Sequence, residues 1–171
     1  PANAELMGVV KREAYGHGSY AVATHLEKTG VKAFAVATID EGIALRRYGI
    51  RGEILILGFT DVRRAKELKT YRLSQTLIDF PYAEKLNRQK IPVSVHIAID
   101  SGMHRLGLDT DDLENVQKLF QMKHLHIQGI FTHLCCADSR KPEDISFTRK
   151  QIRSFYGLIS QMETAGLPIP K

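Results

Sequence analysis

The chain of 171 residues is 43% hydrophobic and 25% charged, close to an ordinary globular domain, which excludes disorder and collagen-like repeats. Its net charge of +5 comes from 24 Lys+Arg against 19 Asp+Glu, scattered over residues such as Arg46, Arg47, Arg63, Arg64, Lys123, Arg149 and Lys150. That scatter suits solvated helix faces better than a polyanion-binding patch, so no nucleic-acid partner is expected. No run reaches the about 18 apolar residues of a membrane span. Pro1-Ala2-Asn3-Ala4-Glu5 lacks the basic region and apolar core of a signal peptide. With no initiator Met and an apolar run almost at once, the sequence is expected to begin within a longer protein.

In chain order, Leu6 to Val10 reads as a buried strand, and Gly16-His17-Gly18-Ser19 opens a helix over 20–29 that Gly30 stops. Ala33 to Ala37 is a second strand. Asp40 is expected to cap a helix from Glu41 to Tyr48, stopped by Gly49. Ile54 to Gly58 is a third strand, and Asp61 caps a helix with Val62, Ala65 and Leu68 on one face. Leu73 to Ile78 is a fourth strand, weakened by Ser74, Gln75 and Thr76. Pro81 suits the first turn of the next helix, through Leu86.

Val93 to Ile99 is a fifth strand, followed by a helix near 111–121 with Leu113, Val116, Leu119 and Phe120 on one side. Ile127 to Leu134 is a sixth strand. A long helix over 145–165 follows, with Ile145, Ile152, Phe155, Ile159 and Met162 as its apolar stripe, and the tail Leu167 to Lys171 reads as a loop toward another strand. Six strand–helix units with non-alternating strands imply an α/β fold with a parallel sheet. Periodicity leaves a doubly wound sheet and a (β/α)8 barrel open. Both place chemistry at the carboxyl ends of strands.

Three strand ends carry reactive residues. After the first comes Lys11, where partial desolvation frees an amine for Schiff-base or acid–base work, then Tyr15 between Ala14 and Gly16. Gly16-His17-Gly18 lacks the third glycine of a dinucleotide fingerprint. After the fifth comes Asp100-Ser101-Gly102-Met103-His104-Arg105, where Arg105 can present its planar fork to an oxygen anion. Asp100 can accept a neighbouring backbone amide or pair with Arg105. The sixth ends in Thr132-His133-Leu134-Cys135-Cys136. His124 and His126 lie at the start of that strand and His133 and Cys135 at its end, about 20 Å apart at roughly 3.3 Å per residue, so no metal site is expected. Adjacent cysteines, with Cα atoms about 3.8 Å apart, do not suit a structural disulfide. A reducing, cytoplasmic setting fits them.

Val9-Val10-Lys11-x-x-Ala14-Tyr15-Gly16-His17-Gly18 resembles the pyridoxal-phosphate lysine motif of alanine racemases. Three further segments match in order: Ala35-Val36-Ala37-Thr38-x-x-Glu41-Gly42, then Ile99 through Gly107, then Phe131-Thr132-His133-Leu134. Within that family the chain is similar to the serine/alanine racemase branch of vancomycin-resistance clusters, whose catalytic domain follows a membrane-spanning half. The resemblance covers essentially the whole chain. It implies a TIM-type (β/α)8 barrel, of which residues 1–171 would be the N-terminal part, without a C-terminal β-domain. It also implies pyridoxal 5'-phosphate held as an internal aldimine, and racemisation of alanine or serine that supplies D-amino acid for peptidoglycan.

By that resemblance Lys11 is the Schiff-base lysine and one of two catalytic acid/bases, its pKa lowered by burial and neighbouring cations. Tyr15 contacts the cofactor phosphate. Arg105 bonds the cofactor's phenolic oxygen near the substrate carboxylate, and His133 lies beside the pyridine ring. The second base, a tyrosine of the partner subunit in a homodimer, would lie beyond residue 171. Any membrane contact would come only through a separate domain, leaving this part cytoplasmic. Two features depart from the pattern. Arg12 and Glu13 replace smaller residues, and Ala98 stands where many members carry a lysine that braces Arg105. Two other functions compete: a pyridoxal-phosphate homeostasis carrier on the same barrel without racemase activity, and a basic polyanion-binding domain.

Overall fold

A computed structural model describes residues 4–170; Pro1, Ala2, Asn3 and Lys171, with the parts of the terminal readings that rest on them, lie outside the described residues. The chain divides into two compact units, Pro1–Thr76 with Gln89–Ser94, and Leu77–Arg88 with Val95–Lys171.

The first unit is a run of parallel strands with helices between them. β1 is Met7–Val9, β2 Ala33–Val36, β3 Glu53–Ile56, and β4 spans Ser74–Leu77. β1 pairs β2 with Met7 opposite Ala33, β2 pairs β3 with Ala33 opposite Glu53, and β3 pairs β4 with Leu55 opposite Ser74, all parallel. Burial of the last three residues of β2 and of β3 explains the apolar runs over 34–36 and 54–56. Phe34, Ile54, Ile56 and Leu68 are fully buried, each contributing about 1.5–3 kcal/mol relative to exposure. Helix α1 is Ser19–Lys28, α2 Ile39–Arg47, and a 3-10 turn at Val62–Arg64 leads into α3, Ala65–Thr70.

One expectation is corrected here. Thr38, not Asp40, caps α2: its backbone is extended and its hydroxyl accepts the Glu41 amide at 3.3 Å, while the Glu41 carboxylate accepts the Thr38 amide at 3.2 Å. This is a capping box, and Asp40, inside the first turn, pairs instead with Arg64 at 2.7 Å. The Arg64 guanidinium holds the Asp40 carboxyl below its ordinary range. β4 carries the polar residues Ser74, Gln75 and Thr76, and Gln75 Oε1 and Thr76 Oγ1 are buried without a hydrogen-bond partner among the described residues. All three are buried, and the Gln75 amide donates to the carbonyls of Gly58 and Thr76 at 2.8 and 2.9 Å.

The second unit contains α4, Phe80–Asn87, whose N-cap Asp79 accepts the Tyr82 amide at 2.7 Å with Pro81 in the first turn. It continues with β5, Val93–Asp100, from Val95 onward, then a two-residue strand β6, Leu108–Asp109, which the sequence reading passes over. β5 pairs β6 in parallel, Ile99 opposite Leu108, and β7, Leu125–Thr132, also pairs β5. Gly129 lets β7 approach closely: a Cβ there would lie 2.3 Å from His96 Nδ1. Helix α5 is Leu113–Phe120 and α6 is Pro142–Thr164. The stripe expected on α6 holds at Met162, which is buried, and in part at Phe155 and Ile159, which are half-buried, whereas Ile145 and Ile152 are exposed and Gln151 and Leu158 take the buried positions. A buried glutamine on the inner face has no hydrophobic signal to reveal it.

Among the described residues no helix is long and apolar enough to cross a membrane.

Candidate active site at the strand ends

Lys11 follows β1 after one intervening residue, Val10, and is half-buried. The backbone after it departs from every sequence expectation. Arg12, Glu13 and Ala14 adopt φ/ψ of 50/52, 54/41 and 49/47°, and Tyr15 has φ 57°, a left-handed turn made by four non-glycine residues. Such a conformation costs about 1–2 kcal/mol per residue, so the surroundings must enforce it.

They do so with directed hydrogen bonds. The Ala14 amide donates to the Val10 carbonyl at 3.0 Å, and the Gly16 and Gly18 amides both reach the Glu13 carbonyl, at 3.0 and 2.8 Å. The Glu13 carboxylate accepts the Ser19 amide and hydroxyl, each at 3.0 Å, which ties the turn to the start of α1. Arg12 donates its amide to Glu41 Oε1 at 2.8 Å. Gly16 continues the positive φ at 96°. The turn leaves Tyr15 exposed, and neither its hydroxyl nor the Lys11 amine has a partner among the described residues.

In the second unit Arg105 and His133 line one cavity together with Ala98, Asp100, Ser101 and Thr132. Asp100 does not pair with Arg105. Its carboxylate accepts the amides of Gly102 and His104 at 2.8 and 3.0 Å, and the His104 ring lies 3.4 Å away. Burial opposes ionisation of Asp100, but these amides outweigh it and hold the carboxyl below its ordinary range. The result is a tight loop in which His104 has φ 57°, Gly102 φ 131° and Gly107 φ 116°. Gly107 is required twice over, because a Cβ would meet the Asp100 amide at 2.7 Å. Arg105 is thereby presented, exposed, from a loop whose anchor is spent on backbone, and its guanidinium has no partner among the described residues.

A second set of polar residues supports that cavity from behind. Thr132 donates to the Ile99 carbonyl at 2.8 Å and lies 2.7 Å from the Ser101 hydroxyl. Since the single Thr132 hydrogen is committed, Ser101 donates to Thr132 and accepts from the Gln151 amide at 3.3 Å. Gln151 also donates to the His133 carbonyl at 3.0 Å. The chain from α6 to the ends of β5 and β7 is thus directed and satisfied, and Gln151, fully buried, is its origin. Ser101 and Thr132 were visible in the strand-end motifs. Gln151 was not.

Cys135 and Cys136 are free thiols with Sγ atoms 3.8 Å apart. Cys135 hydrogen-bonds Cys136, which with burial pushes the Cys136 thiol up. Among the described residues no group of three or more His, Cys, Asp or Glu side chains is placed to hold a metal ion.

Parallel strands alternating with helices, with candidate reactive side chains after strand ends within each unit, define an α/β protein. The chain belongs to the alanine racemase N-terminal domain family, whose model matches residues 1–171. The fold is the TIM-type α/β barrel of that family, and the chain covers part of its relatives' length. It is 54% identical over 167 residues to an amino-acid racemase of Enterococcus faecalis, covering 98% of this chain and 24% of that protein. Against a serine/alanine racemase of Enterococcus gallinarum it is 42% identical over 159 residues, covering 93% and 23%. Among solved structures it resembles the alanine racemase of Clostridium difficile 630 in complex with cycloserine, with TM-score 0.90 and 32% identity over 99% of this chain and 47% of that one. The chain therefore spans about a quarter of the enterococcal relatives and about half of the clostridial one.

Proposed function

We propose that this chain forms part of the active site of a pyridoxal 5'-phosphate-dependent racemase that interconverts the L and D forms of a small amino acid, alanine or serine. The observation that carries the reading is Lys11: a half-buried residue whose amine has no partner among the described residues, after the carboxyl end of a parallel strand, at the start of a turn in the left-handed region. The donor set fits the cofactor in kind. An amine meets an aldehyde, and the unpartnered Tyr15 phenol meets a phosphate. The unpartnered Arg105 guanidinium meets a phenolic oxygen or carboxylate, and the His133 ring suits a pyridine face. Relatives named amino-acid racemase and serine/alanine racemase support the same class.

The cofactor, when bound, supplies an electron sink that lowers the barrier to losing the substrate's Cα proton. The chain's own residues do the rest. Lys11 holds the cofactor and takes or returns the proton at Cα on one face through Nζ. Tyr15 and Arg105 orient the anionic groups, and a second acid–base group serves the opposite face from elsewhere in a homodimer of the intact protein. Residues 1–171 act as the N-terminal part of the barrel, in a protein whose active portion is cytoplasmic. The D-amino acid feeds peptidoglycan precursors, in the setting of vancomycin resistance.

Borohydride treatment of the intact protein with pyridoxal 5'-phosphate should trap one cofactor on the peptide containing Lys11, and Lys11→Ala should abolish both trapping and racemisation. Trapping on another lysine would overturn the assignment. Cofactor trapped on Lys11 without exchange of solvent deuterium into alanine or serine would favour a cofactor carrier.

A further inference from the structure

We infer that Glu41 is the positioning residue for the cofactor lysine, its carboxylate clamping the backbone beside Lys11 so that the left-handed turn and the amine it carries hold one orientation. This rests on the reading of Lys11 given above.

The geometry is specific to a two-oxygen acceptor. Glu41 Oε1 accepts the Arg12 amide at 2.8 Å, the donor immediately after Lys11 and 29 residues away in sequence. Glu41 Oε2 accepts the amides of Ala37 at 2.7 Å and Thr38 at 3.2 Å, which belong to the end of β2 and the cap of α2. One carboxylate thus joins the exit of β1 to the exit of β2. Val10, on the other side of Lys11, donates its amide to the Ala35 carbonyl at 2.9 Å. Lys11 is bracketed by two hydrogen bonds to the same neighbouring strand end.

A capping box needs only one of these contacts, the return from Glu41 to the Thr38 amide. The bond to Arg12 is additional and falls where the backbone enters the left-handed region, at φ 50°. A charged acceptor there compensates for the unfavourable conformation. The isosteric amide cannot replace it, because Glu41→Gln places an NH2 against a backbone N–H on one side or the other. Volume is kept and the clamp is lost.

The test compares Glu41→Gln with Thr38→Ala in the intact protein. Thr38→Ala removes the hydroxyl side of the capping box and leaves the clamp in place. The readouts are the dissociation constant for pyridoxal 5'-phosphate, the borohydride-trapped yield at Lys11, and the melting temperature of the apoprotein. Glu41→Gln is expected to weaken cofactor binding by about tenfold or more, with Thr38→Ala unchanged within about twofold at a comparable melting temperature. Equal affinity of Glu41→Gln and wild type, or equal losses in both variants, overturns the inference and reduces Glu41 to a helix cap. Should Glu41→Gln fail to fold, amide exchange in the wild type decides. An Arg12 amide protected like those of β2 supports the clamp, and fast exchange rejects it. Absence of any cofactor adduct at Lys11 in the wild type would instead defeat the functional reading.

Discussion

The loops that leave β1 and β5 address the same task by opposite means. Each must turn the chain sharply after a buried strand and present one cationic side chain, Lys11 or Arg105. After β5 the anchor is local, since Asp100 accepts amides two and four residues ahead, and glycines at 102 and 107 take positive φ without a Cβ to object. After β1 the positive φ falls on Arg12, Glu13, Ala14 and Tyr15, and one anchor, Glu41, comes from a different helix. A loop stabilised by its own carboxylate and glycines is intrinsically shaped. One built from ordinary residues depends on its neighbours, and the lysine it carries depends on them too.

The local loop should break most severely where its glycines are filled. Gly107→Ala places a Cβ 2.7 Å from the Asp100 amide at φ 116°, so a loss of about 3 kcal/mol is expected in denaturant unfolding. A loss below about 1 kcal/mol would show that the loop yields and is not intrinsically shaped. Next comes the support behind it. Gln151→Leu removes the amide donor from the Ser101 hydroxyl and the His133 carbonyl, for an expected cost of about 1–3 kcal/mol, while cofactor trapping at Lys11 persists. Loss of trapping there would mean that the two loops are not independently anchored.

The smallest effect is that of Asp100→Asn, about 1–2 kcal/mol, because a neutral acceptor keeps the geometry and loses the charge assistance. Its sign with pH follows from the lowered carboxyl of Asp100. A depressed folded pKa stabilises fully above the unfolded value of about 3.9 and is lost as pH falls through the folded value. The difference between wild type and Asp100→Asn should therefore be constant near neutrality, begin to fall near about pH 4 and vanish only below the depressed folded value of Asp100. A difference that persists in acid would mean that the anchor is not electrostatic.

Much of this was legible beforehand, for reasons visible in particular residues. The segments 34–36 and 54–56 are buried on both faces and apolar throughout, which makes them legible as strands. Lys11 and His133 stand out as candidates because each follows such a run, and Arg105 because it lies in the loop after β5. Glu41 lay in a Thr38-x-x-Glu41 pattern, itself a capping signature, yet the neighbouring Asp40 drew the cap assignment. Gln151 was hidden in a helix stripe where apolar periodicity pointed to Ile145 and Ile152 instead.

Sequence alone determined the order of strands and helices, the parallel α/β class and the reactive residues at strand ends, because burial period and turn chemistry are properties of neighbouring residues. Only tertiary structure decided how those residues are held. For Asp100 the sequence left a neighbouring amide and Arg105 both open, and folding chose the amides. The left-handed turn at Arg12 and the polar chain from Gln151 cannot be read from local pattern at all. An amide 29 residues from its acceptor, or a hydroxyl 50 residues from its donor, leaves no local trace until folding brings the two within a hydrogen bond.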